Sequence, residues 1–275
     1  MNRPKHAVSP LAVFTSFWNH RHLIWQMTKR EVMGRYRGSL MGLAWSFFNP
    51  ILMLVVYTFV FSVVFKARWG TGGEGSRTDF AIILFVGMIV HGLFAECINR
   101  APGLILSNVN YVKKVVFPLE VLPWVALGSA LFHSLVSLLV LLTAFFIINL
   151  YIPWTAIFFP LIAVPLILAT MGLAWFLAAT GVFVRDIGQT TGIITTVLLF
   201  LSPVFYPVSA LPQKYQTLLM LNPLTFIIEE SRQVLIWGRL PDWAGWAIYS
   251  SVSAVIAWAG FLWFQKMRKG FADVL

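Results

Sequence analysis

From Val121 to Asn149 the chain reads VLPWVALGSALFHSLVSLLVLLTAFFIIN, an unbroken apolar stretch without a single Asp, Glu, Lys or Arg. A bilayer core about 30 Å thick takes roughly 20 apolar residues of helix to cross, so this stretch is long enough to span it. Five other segments meet the same condition, at 41–65, 80–98, 155–184, 188–206 and 244–264. With 59% hydrophobic and only 11% charged residues, the chain is far more apolar than a water-soluble domain, where about a quarter of residues are charged. The reading is an all-α polytopic membrane protein with six transmembrane helices in a single domain over 1–275. No linker, compositional break or internal repeat divides it. The N-terminal stretch has no small-residue cleavage site of the signal-peptide kind.

Orientation follows from charge. With the N-terminus in the cytoplasm, the basic residues of 1–40, 99–118, Arg185 and 265–275 fall inside, and only those of 66–79 and 207–243 fall outside. The excess of Lys and Arg is then cytoplasmic, as the positive-inside rule requires, with both termini inside. The net charge of +10 therefore has a membrane explanation, and nucleic acid is not expected as a partner.

Several chemistries are excluded by what is missing. There is no G-x-x-x-x-G-K-[ST] loop to cradle ATP phosphates; the nearest glycine-rich run, GTGGEG at 70–75, lacks the following Lys-Ser/Thr. The lone Cys97 can form no intramolecular disulfide, no metal-ligand spacing is present, and the five histidines are scattered. His91 and His133 lie inside spans and are expected to be neutral and hydrogen-bonded between helices, whereas Glu96 and Glu120 fall at span ends. A proton-coupled glycolipid transporter would want a mid-span carboxylate. A membrane-embedded glycosyl- or acyltransferase would want a catalytic cluster, for which Glu229 and Glu230 are the only adjacent acidic pair. Neither requirement is met, and Glu229 and Glu230 are expected to flank the gate or pair with Arg232 instead.

Four segments carry mechanism. Residues 20–40 form a basic helix before the first span, with Trp25, Val32 and Tyr36 on one face, suited to the membrane interface; Gly38 is a helix stop, and Pro50 should kink or delay the span that follows. The cytoplasmic loop 99–118 has a short helix after Pro102 and Gly103. It presents Asn110, Tyr111, Lys113 and Lys114, and is suited to receive a push from a cytoplasmic motor. Arg185 and Asp186 make a tight turn, with Asp186 placed to cap the next helix. After the fifth span comes FLSPVFYPVSALP, then an apolar, helix-like stretch interrupted at Asn222-Pro223, whose halves are each too short to cross. A re-entrant helical hairpin over 207–236 satisfies this pattern, because non-helical backbone at membrane depth must be covered by protein or line a wet cavity. Phe200, Pro203, Phe205, Tyr206 and Pro207 then form an aromatic, proline-rich turn at the outer mouth. Such rings can stack on the apolar faces of sugars and can plug a pore.

The run KREVMGRYRGSLMGLAWSFFNP at 29–50 resembles the permease signature of bacterial ABC-type polysaccharide exporters, the O-antigen and teichoic acid export family. VVFPLEVLP, VFVRDIGQ, SPVFYPVSALP, LNPLTFIIEESRQVLIWG and the terminal KGFADVL follow in the order expected of that family. The resemblance implies a homodimer of permeases joined to two copies of a separate ATPase that holds the ATP and Mg, with no cofactor in this chain. It implies a channel for an undecaprenyl-diphosphate-linked polysaccharide crossing a bacterial inner membrane. It also implies an interfacial helix at 20–37, a coupling helix around 106–114 and gate helices at 207–236. Within that frame, Arg30, Arg35 and Arg37 are suited to attract the lipid diphosphate.

Overall fold

In a computed structural model, residues 10–64, 77–113, 117–220 and 222–275 are described, and among them the secondary structure is helical throughout, with no strand. The helices are α1 (Pro10–Arg35), α2 (Trp45–Tyr57), α3 (Arg77–Arg100), α4 (Val109–Lys113), α5 (Val121–Asn149) and α6 (Phe159–Phe183). They are followed by α7 (Ile187–Leu201), α8 (Gln213–Met220), α9 (Pro223–Leu235), α10 (Trp243–Met267) and α11 (Phe271–Val274). Lys114 and residues 65–76, which include the GTGGEG run, lie outside the described residues.

Among the described residues, five helical stretches are long and apolar enough to cross a membrane: Gly42–Phe61, Phe80–Gly103, Val121–Asn149, Trp154–Phe183 and Trp243–Val274. The fifth expected span differs. Its helix, α7, has 15 residues, about 22 Å of rise, because Ser202 turns to an extended conformation (φ −93°, ψ 153°) and Pro203 follows without an N–H. Within the first span Pro50 does not delay the helix, which begins at Trp45; the proline sits in its second turn, and the helix passes into a π-helical stretch at Thr58–Val64.

The spans are not equivalent. The second, carried by α3, is 78% buried and forms the centre of the bundle, whereas the first is 6% buried and leaves Ile51, Leu52, Val55 and Phe59 exposed. That apolar exposure suits a lipid or subunit surface. The tightest helix pair is α6 with α10. A Cβ on Gly260 would lie 1.9 Å from the Gly172 carbonyl oxygen, so only glycine lets these two backbones meet. Beside this crossing Trp175 is fully buried, donates to the Glu120 carbonyl at 3.2 Å and packs edge-on against Phe261.

α1 ends at Arg35, three residues before the expected stop, and Gly38 with φ +87° closes the turn that follows in a left-handed conformation without side-chain strain. The face it buries is Ile24, Thr28 and Val32, one residue every helical turn, and it packs on α5. Trp25 stays exposed to one side of this stripe, so Trp25 and Val32 do not share a buried face. At the turn between α6 and α7, Arg185 and Asp186 stand where the sequence puts them, but the Asp186 side chain makes no cap hydrogen bond. Its backbone is αR (φ −68°, ψ −16°) rather than extended, so the carboxylate is not swung back toward the first helical N–H groups.

Candidate functional site

The break after α7 brings together the residues singled out in the proline-rich turn. Ser202, Pro203 and Val204 are buried, and the Val204 N–H donates back to the Ser202 carbonyl at 2.7 Å, closing a tight turn. Phe205 emerges half-buried from this turn and stacks on exposed Phe200 at 5.6 Å. On its other side it meets Phe61 at 6.1 Å, and Phe61 in turn stacks on Phe80 of α3 at 5.4 Å. Four rings thus form a ladder from the bundle centre to the surface. Stacked rings contribute about 0.5–1.5 kcal/mol per pair beyond the area they bury. Tyr206 donates its hydroxyl to the Phe200 carbonyl at 3.1 Å, tying the turn back to the last turn of α7, and Pro207 follows in an extended conformation.

Two polar side chains hold this turn from behind. Asn222 caps α9 by accepting from the Leu224 N–H at 3.0 Å, while its Nδ2 donates to Ser202 Oγ at 2.8 Å. Arg232, fully buried, donates Nη2 to the Val204 carbonyl at 3.0 Å, Nε to the Ile83 carbonyl of α3 at 3.2 Å, and Nη1 to Glu229 at 2.7 Å. The expected pairing with Arg232 is therefore made by Glu229. Glu230 instead accepts from the Asp242 N–H at 2.9 Å. Gly87 of α3 leaves the room: a Cβ there would lie 3.2 Å from both Arg232 Nη2 and the Val204 Cα. The sequence showed Arg232 only as a partner for a neighbouring carboxylate; the anchoring role depends on contacts across a chain separation of 149 residues.

A second polar cluster joins α1, α3 and α5. Arg35 donates to Glu96 at 2.6 Å, and His133 Nδ1 lies 3.0 Å from the same carboxylate. Tyr36 stands 3.3 Å from His133 Nε2. The tautomer with Nδ1–H donating to Glu96 and the Tyr36 hydroxyl donating to Nε2 satisfies all three groups. Burial pushes the Tyr36 phenol above its ordinary value, with the Arg35 charge opposing, so it remains a donor at neutral pH. Glu31 pairs with Arg100 nearby. Arg35 is thus engaged with a carboxylate, while Arg30 and Arg37 are exposed. Glu96 stands one turn inside α3 rather than at its end. His91 is hydrogen-bonded between helices as expected, to the Thr195 carbonyl at 2.9 Å.

Directly after Arg100, at the end of α3 away from the aromatic turn, Ala101, Pro102, Leu104 and Ile105 of the connecting loop are buried, and α4 follows. Tyr111 stacks on Phe117 at 4.5 Å, Asn110 is exposed, and Lys113 donates to the carbonyl of Leu275. Arg268 bonds Glu120 at 2.6 Å and the Phe117 carbonyl at 3.1 Å, so α4, the start of α5 and the C-terminal segment form one docked unit.

Residues 22–236 match the family profile described as ABC-2 type transporter. The chain belongs to the ABC-2 type transporter family. It is a multi-pass membrane protein, and curated relatives align with it over more than three quarters of its length. An O-antigen export system permease protein RfbA of Myxococcus xanthus is 28% identical over 93% of this chain and 96% of its own length. One of the same name from Klebsiella pneumoniae is 23% identical over 90% and 93%. The polysialic acid transport protein KpsM of Escherichia coli is 22% identical over 78% and 81%. As an ABC-2 family member the chain has the build of a permease subunit.

Proposed function

We propose that this chain is the permease subunit of an ATP-driven exporter that moves a lipid-linked polysaccharide, of the O-antigen kind, across the inner membrane of a bacterium. The observation that carries the reading is the short α7 with its buried turn. A helix of 15 residues followed by α8 and α9, neither long enough to cross, supports a chain that enters the outer leaflet, turns back and leaves by the side it entered. With α7 completed by this hairpin over 207–236, the chain has six crossings and both termini in the cytoplasm, the placement that the distribution of Lys and Arg favours.

In this reading two copies of the permease enclose the channel, and two copies of a separate ATPase supply the energy; the chain itself holds no cofactor. Closure of the ATPase dimer pushes the α4 unit through Asn110, Tyr111, Lys113 and Lys114. Because α4 is docked on the start of α5 and on the C-terminal segment, the push reaches α5 and α10 as a rigid-body motion. The ladder of Phe200, Phe205 and Phe61, with Tyr206, Pro203 and Pro207 shaping the turn, closes the outer mouth at rest and stacks on sugar faces during passage. Helix α1 lies at the inner interface with Trp25 at headgroup level. Exposed Arg30 and Arg37 attract the undecaprenyl diphosphate, while Arg35 and Tyr36 fasten the helix to α3 and α5.

The test is reconstitution with the cognate ATPase. Export that stops when the ATPase is made catalytically dead supports the proposal. Export that persists on a proton gradient alone, with the dead ATPase, overturns it.

A further inference from the structure

We propose that the cleft immediately outside the aromatic turn is a carbohydrate-binding site, which receives the glycan as it passes the gate. This rests on the export reading above and adds a place where the sugar is held. The cleft has a volume of about 540 Å³ and lies between the segment Pro207–Ser209 and the C-terminal end of α9. That volume falls within the range of about 300–1,000 Å³ of small-molecule sites, enough for more than one sugar ring.

Its chemistry is that of a polyol site. Glu229, Gln233 and Trp237 recur every fourth residue and so fall on one face of α9 and its C-terminal extension. After Trp237 the chain reverses at Gly238 (φ +65°), with the Trp237 N–H bonded to the Arg232 carbonyl at 3.2 Å and the Arg239 N–H to the Gln233 carbonyl at 3.0 Å. This helix-ending turn folds Arg239 back beside Gln233, which gives the cleft an indole, a carboxylate, an amide and a guanidinium. The Glu229 carboxylate is oriented by buried Arg232 at 2.7 Å, so it is set by the same side chain that pins the turn. Gln233 Oε1 is buried and has no hydrogen-bond partner among the described residues. Turning the Gln233 amide into the cleft brings that acceptor to a sugar hydroxyl, while the apolar face of the ring packs on Trp237. The cleft begins at Pro207, one residue beyond Tyr206, so a chain leaving the gate meets it next.

The experiment uses the complete complex of permease and ATPase in lipid nanodiscs, with Ser209→Cys as a reporter on the exposed rim. The native Cys97 is buried and gives no competing signal. Labelling of residue 209 by a maleimide is timed with and without short oligosaccharides released by mild acid from the producing cell's lipid-linked glycan. The glycan is expected to slow labelling at least threefold. The protection should vanish in Trp237→Ala and in the near-isosteric Gln233→Leu, and persist in Trp237→Phe. A labelling rate unchanged by glycan in a complex that still exports overturns the site and leaves the export reading standing. Equal protection by polyethylene glycol of the same length also overturns it. A complex that protects residue 209 yet exports nothing under ATP leaves the site standing and removes the transport reading.

Discussion

Replacing Arg232 tests how the outer turn is held. The side chain is 0% exposed, and truncation to Met removes the charge partner of Glu229 together with the donors to the Ile83 and Val204 carbonyls. Breaking a buried ion pair from one side costs about 3–5 kcal/mol, and the Val204 carbonyl left without a donor adds roughly 1–3 kcal/mol, whereas the Ile83 carbonyl keeps its helical partner within α3. Glu229 is 23% exposed, so water recovers part of its desolvation and the total should fall near 4 kcal/mol. That is a large fraction of the roughly 5–15 kcal/mol that holds a typical fold. The assay is reversible chemical unfolding in detergent of the wild type, Arg232→Met, Glu229→Leu and the double variant. Removing both charges should restore about 2 kcal/mol relative to Arg232→Met, with the remainder lost because the Val204 carbonyl stays unpaired. Arg232→Met within about 1 kcal/mol of wild type, or a cycle in which the two single effects simply add, would refute the anchoring argument.

Three further outcomes follow from the same geometry. Phe205→Ala with Tyr206→Ala removes the middle of the ring ladder and the bond to the Phe200 carbonyl, and should raise resting ion leak severalfold in proteoliposomes without lowering the yield of assembled protein. Gly260→Val drives a side chain into the Gly172 carbonyl and should abolish folded yield on size exclusion, whereas Gly192→Ala, where a Cβ meets nothing within 4 Å, should leave it unchanged. Asp242 caps α10 through the Ala244 and Gly245 N–H groups, so Asp242→Ala should cost about 1 kcal/mol in the unfolding assay and Asp242→Asn much less.

The spans could be read from the sequence because hydropathy is a local property, as is the left-handed turn at Gly38. The interruption at Asn222-Pro223 was legible for the same reason, and the structure shows its cause: Asn222 is an N-cap with Pro223 in the first turn. The reach of α7 was legible only in part: hydropathy carries the span to Tyr206, whereas Pro203, which lacks an N–H and holds Ser202 extended, already sets the end of the helix at Leu201. Asp186 failed as a cap because a favourable residue type does not fix its own φ and ψ. The Arg35, Glu96 and His133 cluster escaped notice because its members are 61 and 98 residues apart and meet only through the packing of α1 against α3 and α5. Gln233 and Trp237 were hidden as a site because their spacing reads as ordinary amphipathic helix until the turn at Gly238 is known.

The account depends most on where residues 207–240 lie. Single cysteines at Ser209, Tyr215, Arg239 and Lys266, in a Cys97→Ala background, should be exposed in sealed cells to a membrane-impermeant maleimide and then in inverted vesicles. Positions 209 and 239 should label only from outside, 215 slowly and only from outside, and 266 only from within. Labelling of 209, 215 or 239 from the cytosolic side, or uniformly fast labelling across 207–240 as in a hydrated external loop, would contradict the hairpin and the gate built on it.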